Sequence, residues 1–165
     1  AAQPVDLAEL ARQVLAERAE AALARGHDLA LAGPEGSDGT GPAQGRDGGG
    51  ATPAFSVPGH ALLLGLALGN LVDNALAHSA GPVLVEIRLE AAQRRLLVCN
   101  GPLPGAAGAS PQPGTAPPAA LGLGLGHRVV AKVADLHGAT FRAVPPPAGF
   151  SHAYALDFPA GGAVA

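Results

Sequence analysis

The chain has 165 residues, 48% of them hydrophobic but only 3% aromatic, so one domain of ordinary size with a core of Leu, Val and Ala is expected. The formal charge is −3 and the basic residues are scattered, with Arg94–Arg95 the one adjacent pair, which excludes the basic stripe of a nucleic-acid binder. A single cysteine, Cys99, excludes a disulfide framework and a thiolate metal cluster, and a reducing compartment fits it.

No signal-peptide pattern opens the chain. The longest apolar run, residues 61–69, is about half of what a membrane span requires. The chain begins at Ala1 without a methionine and is expected to be a piece of a longer protein.

Residues 5–25 predict an amphipathic helix, with Asp6 as N-cap, Glu9 three residues on, and Gly26 as the stop. Leu7, Leu10, Ala11, Val14 and Leu15 form its apolar stripe. Residues 27–32 and 54–57 read as short strands. Between them, residues 33–52 are rich in Gly, Pro, Asp and Ser without periodicity, the composition of a flexible insertion. A second helix is predicted over 59–78. Residues 82–89 and 94–99 predict two strands joined by a turn at 90–93. A long Pro-, Gly- and Ala-rich loop follows over 101–120. Residues 121–138 predict a third helix opened by a glycine string and closed by Gly138. Residues 139–144 and 152–158 predict a last strand pair around the "PPPAGF" turn. Without a parallel βαβ series, the order predicts an α+β fold, helices layered on one mixed sheet.

Three patterns carry chemistry. The chain contains three asparagines, Asn70, Asn74 and Asn100. Its bias toward Ala, Gly, Pro and Arg is that of a GC-rich coding sequence, which depletes asparagine. Residues four apart share a helical face, so Asn70, Asn74 and His78 form one polar stripe in an apolar helix. Asparagine is a poor helix former, and a neutral, hard amide oxygen suits a Mg²⁺ ion that also carries substrate phosphates. A helix surface that is simply polar at this stripe is the plain alternative. The second pattern is Gly122–Leu123–Gly124–Leu125–Gly126 before a helix, where backbone amides can hold an anion. A linker or tight turn is its plain alternative. The third is "VCNGPLPG" (98–105), a strand that ends in a turn at Gly101–Pro102.

In this order the patterns resemble the catalytic, ATP-binding domain of bacterial sensor histidine kinases. The wider group includes type II topoisomerases, Hsp90 chaperones and mismatch-repair ATPases. "NLVDNALAHS" resembles the N-box, "GLGLGHRVVAKVADLHGA" the second glycine box with its helix, and "NGPLP" a worn first glycine box. "PVDLAELARQVLAERAEAALARGHDLAL" resembles the family's opening helix and strand, so the likeness covers nearly the whole chain. The resemblance implies a two-layer α/β sandwich (the Bergerat fold) with a mixed, mostly antiparallel sheet of about five strands on about three helices. It implies one catalytic domain over 1–165, with residues 102–121 as a lid over ATP and the dimerisation and phosphoacceptor domain absent.

The implied cofactors are ATP and Mg²⁺. Asn74 would be the Mg²⁺ ligand and Asn70 would assist at the metal and phosphates. His78 would sit beside the nucleotide, and Gly122, Leu123, Gly124, Leu125 and Gly126 would supply backbone to the phosphates. The implied activity is transfer of the γ-phosphate to a histidine on the kinase's own separate domain. A response regulator would be the downstream partner. The parent would be homodimeric and anchored at the bacterial inner membrane, with this domain on the cytoplasmic side and monomeric when isolated. A domain that has lost nucleotide binding and serves as a regulatory interaction module is the alternative, and a small ATPase a third reading. ATP-hydrolysing relatives usually carry a glutamate four residues before the Mg²⁺ asparagine. That position is Asn70, and an amide is no general base. Transfer to histidine is therefore favoured over hydrolysis.

The sequence also departs from the pattern. The aspartate that accepts from the adenine amino group is replaced by Cys99 or Asn100, depending on a one-residue gap, with Gly101 beside them. A neutral acceptor contributes about 1 kcal/mol against roughly 1.5–3 for a charged one, so weaker adenine binding is expected. Ala77 stands where the N-box usually has a cation. Arg128 and Lys132 share a helical face and could substitute, although a solvated face is the simpler reading. None of His27, His60, His78, His127, His137 and His152 sits in the phosphoacceptor pattern. His137 ends the third helix, where a cation would suit the dipole.

Overall fold

The computed structural model describes residues 2–33, 55–77, 81–103 and 125–160, with Leu125 described by its backbone alone. The insertion read at 33–52, apart from Gly33, lies outside these residues. So does the lid over 102–121, apart from Pro102 and Leu103.

The first element is a strand that the sequence did not announce, β1 (Gln3–Asp6). It runs directly into α1 (Leu7–Ala24), whose N-cap is Asp6: Oδ1 accepts from the Ala8 and Glu9 amides at 3.0 and 3.3 Å. Gly26 follows α1 at φ +80°, where a glycine adopts the left-handed conformation without strain. β2 (Asp28–Ala32) and β3 (Ser56–Gly59) come next. β3 pairs antiparallel with β1, from Gln3 opposite Gly59 to Asp6 opposite Ser56, as a two-stranded ribbon. α2 (Ala61–Ala77), β4 (Val83–Glu90), β5 (Arg95–Pro102), α3 (Leu125–Leu136), β6 (Thr140–Val144) and β7 (His152–Asp157) complete the order.

The main sheet has five strands in the order β2-β4-β5-β7-β6. β2 lies parallel to β4 and every other pairing is antiparallel. Sheet and helices form the α+β sandwich expected. One face of the sheet, with Val83, Val85, Ile87, Leu89, Leu96, Val98 and Leu156, packs on the helices through Leu10, Val14, Leu68, Leu71, Val72, Val130 and Val133. Aliphatic side chains dominate, as the composition requires. Phe55 and Phe158 meet edge to face at 6.2 Å and supply much of the aromatic content of the core.

The far face carries a smaller cluster of Leu97, Cys99, Ala153 and Ala155, with Val144 and Phe150 packed against it. The Gly149–Ser151 segment crosses this face over Gly101. A Cβ on Gly101 would fall 2.7 Å from the Gly149 carbonyl oxygen. Ser151 donates its amide to the Asn100 carbonyl at 2.8 Å. The missing side chain at Gly101 is therefore accounted for by chain packing.

Candidate functional site

α2 is apolar on the side that meets the sheet, so its polar residues fall on the sides that meet its neighbours. Asn70 and Asn74 are both half-buried. They point toward α3. A Cβ built on Gly126 would lie 2.9 Å from Asn74 Nδ2, 3.4 Å from Asn74 Oδ1 and 3.5 Å from Asn70 Oδ1. A side chain at Gly126 would push into the Asn74 amide and come to ordinary contact distance of Asn70, so the glycine leaves both carboxamides room beside the start of α3. Asn70 donates Nδ2 to the Leu66 carbonyl at 2.8 Å, which pins the amide and turns Oδ1 away from its own helix.

The stripe and the last glycine of the string, read separately in the sequence, are one contact in the fold. His78, Gly122, Leu123 and Gly124 lie outside the described residues, and Leu125 supplies the first backbone position of α3.

The far end of α3 returns to the start of α2. His137 Nε2 accepts from the His60 amide at 3.0 Å, and its Nδ1 lies 2.7 Å from the Val133 carbonyl. With Nδ1 donating and Nε2 accepting, this ring is neutral. The cationic helix-end role expected for His137 is corrected: the ring caps the N-terminus of α2, where a positive charge would oppose the dipole. α2 and α3 therefore run antiparallel and touch at both ends.

Strand parity separates Cys99 from Asn100. Directly paired residues share a face of a sheet, and neighbours along a strand do not. Asn100 pairs with Val85 on one side and His152 on the other, in the row that continues through Val98 and Leu96 toward the helices. It is half-buried on the helix side. Cys99 belongs to the far face and is wholly buried; burial pushes its thiol up to about 11. Of the two candidates, Asn100 is on the layer that holds Asn70, Asn74 and Gly126.

Two features beside these were not read from the sequence. His127 follows Gly126 and stands edge-on to Tyr154 at 4.8 Å and Phe141 at 5.6 Å, an aromatic wall between α3 and strands β6 and β7. Residue by residue, a single tyrosine and one of six histidines gave no signal. The second is an ion pair between α1 and α2, from Arg18 to Asp73. Its partners stand 55 positions apart, so no local pattern announces it. Arg128 and Lys132 are exposed, as a solvated face would be. Among the described residues, no group of three His, Cys, Asp or Glu side chains could hold a metal. None of the described helices is long and apolar enough to cross a membrane.

No family model and no curated protein sequence matches the chain. Solved structures do. The cytoplasmic segment of histidine kinase QseC superposes with a TM-score of 0.64 at 18% identity, over 95% of this chain and 77% of that one. The catalytic domain of histidine kinase ThkA superposes at 0.62 and 18%, over 95% and 97%. The ATP-binding domain of PrrB from Mycobacterium tuberculosis superposes at 0.60 and 21%, over 98% of each. This chain has the fold of the catalytic, ATP-binding domain of histidine kinases.

Proposed function

We propose that this chain is the Mg–ATP-holding catalytic domain of a sensor histidine kinase. The observation that carries the reading is the convergence of the carboxamides of Asn70 and Asn74 on the space beside Gly126. The fold alone would be compatible with a decayed site.

The residues present fit the groups implied. Two neutral amide oxygens, with no carboxylate cluster beside them among the described residues, suit a hard cation that brings its other oxygen ligands from phosphate and water. Asn74 would hold the ion, with Asn70 assisting, and the opening backbone of α3 would face the phosphates. When bound, Mg²⁺ neutralises phosphate charge. The chain itself binds and orients. Asn70 cannot take a proton from water, so nothing at this position activates hydrolysis. The γ-phosphate is kept for a histidine on a separate helical domain, raised to a high effective concentration by tethering. A response regulator would then receive it. Asn100, on the helix-facing side of β5, offers a neutral acceptor to the base.

Calorimetric titration of ATP and ADP, with and without Mg²⁺, tests this reading on the wild-type domain and Asn74→Ala. Micromolar to submillimolar ATP binding that needs Mg²⁺ and disappears in Asn74→Ala is expected. A folded sample that gives no heat at millimolar ATP would overturn it and leave a regulatory interaction module as the alternative.

A further inference from the structure

On α2, Gly65, Gly69 and Asp73 form one row at four-residue spacing, and this row faces α1. A Cβ on Gly65 would touch Leu10 Cδ1 at 3.4 Å. A Cβ on Gly69 would fall 2.5 Å from Arg18 Nη2, inside any allowed contact. The bare backbone at Gly69 is where the guanidinium of Arg18 lies. From there Arg18 grips Asp73 with two bonds, Nε to Oδ1 at 2.7 Å and Nη2 to Oδ2 at 3.1 Å. Its remaining nitrogen, Nη1, donates to the Val14 carbonyl at 3.1 Å and reaches Glu17 at 3.4 Å. The fork is thus fixed to α1 at one end and to α2 at the other. The bonds to Asp73, opposed by burial, raise the Arg18 pKa above its usual value. A planar, bidentate pair fixes orientation as well as distance.

Asp73 and Gly69 each stand one residue before Asn74 and Asn70. On a helix that step is a rotation of about 100°. Whatever holds the 69/73 row against α1 therefore sets the direction of the 70/74 row. We infer that Arg18 and Asp73 are positioning residues for the Asn70–Asn74 pair: a clamp, seated on Gly69, that fixes the rotation of α2 so that both carboxamides meet Gly126. The inference rests on the reading of Asn70 and Asn74 given above. The clamp itself touches neither nucleotide nor metal.

The domain contains three asparagines, so asparagine-selective ¹⁵N labelling gives three side-chain amide signals, from Asn70, Asn74 and Asn100. The variants are Asp73→Ala, Arg18→Lys, Gly69→Ala and the conservative Asp73→Glu. Asp73 is 58% exposed, so its removal leaves the core intact. Gly69→Ala breaks the clamp from the other side without removing a charge. In Asp73→Ala, Arg18→Lys and Gly69→Ala the Asn70 and Asn74 amide signals should move while that of Asn100 stays. Affinity for Mg–ATP should fall about tenfold or more, and Asp73→Glu should recover most of the loss.

Unmoved Asn70 and Asn74 signals with Mg–ATP affinity within about twofold of wild type would overturn the inference. So would a loss of Mg–ATP affinity accompanied by a shifted Asn100 signal, which would mark general loosening. If wild type and Asn74→Ala bind Mg–ATP alike, the proposed function fails instead. The amide signals would still decide whether the clamp orients the asparagines.

Discussion

At the scale of single residues, the candidate site depends on an absence of atoms. Gly126 is inside the first turn of α3, where alanine is the better helix former by about 1 kcal/mol. Replacing it with alanine should therefore leave thermal stability equal or slightly improved. The same methyl group falls on Asn74, whose amide ends a flexible side chain and can swing away. Gly126→Ala should be a folded protein that has lost about tenfold or more in Mg–ATP affinity. Melting and titration of one sample would separate the two effects. A variant that is destabilised and binds as well as wild type would contradict the contact. Residue by residue, this part of the candidate site was legible: asparagines four apart and a glycine before a helix are local patterns. The choice between Cys99 and Asn100 was not. β5 is buried on both faces from Leu96 to Cys99, so the alternation that would have shown which face each residue takes is erased.

At the scale of elements, the parallel pair of β2 and β4 depends on a residue outside both strands. His27, in the turn between α1 and β2, accepts the Val83 amide on Nδ1 at 3.1 Å and is 9% exposed. Burial, followed by the charge of Arg25, lowers its pKa below 6.5. The unfolded chain therefore binds a proton more readily than the folded one. This contribution to stability is complete above pH 6.5 and is lost as the pH falls through the lowered folded value. Denaturant titrations between about pH 8 and pH 5 should show wild type losing stability faster than His27→Asn, which keeps an acceptor but does not titrate. Identical slopes would remove His27 from the account.

The same scale shows which elements the sequence concealed. β1 is four residues with Pro4 among them, and it becomes a strand only through β3, fifty or more positions away. The parallel alignment of β2 with β4 is likewise set by α1 and α2 lying together on one face of the sheet. The three helices and the strands read at 82–89, 94–99 and 139–158 needed no such help, although β5 runs on to Pro102, into the stretch read as the start of a loop. Their apolar periodicity and turn residues act locally.

For the whole molecule, the layering puts its one thiol at the centre of the sheet, on the side away from the candidate site. Cys99 is fully buried, and with a pKa of about 11 only roughly a thousandth of it would be thiolate near pH 8. An aromatic disulfide reagent should leave the native domain unmodified until the sheet opens. The labelling rate under native conditions should then track global unfolding measured by denaturant, and added Mg–ATP should change it only through overall stability. Labelling within seconds in the absence of denaturant would mean that the far face opens independently. The Arg18–Asp73 clamp marks the limit of sequence reading at this scale. Nothing in α1 or in the asparagine stretch signals that a charge 55 positions away defines the orientation of the stripe.

The neutral ring of His137 has a mechanical consequence. It fastens the end of α3 to the beginning of α2, so α3 cannot slide along its neighbour without breaking that bond. Measured from that bond, the helix is an arm with His137 as its fulcrum. Twelve residues make an arm of about 18 Å. A tilt of about 10° at the fulcrum would carry Gly126 roughly 3 Å past Asn70 and Asn74. In this domain a small angle at one histidine is a large displacement at the other end of the lever.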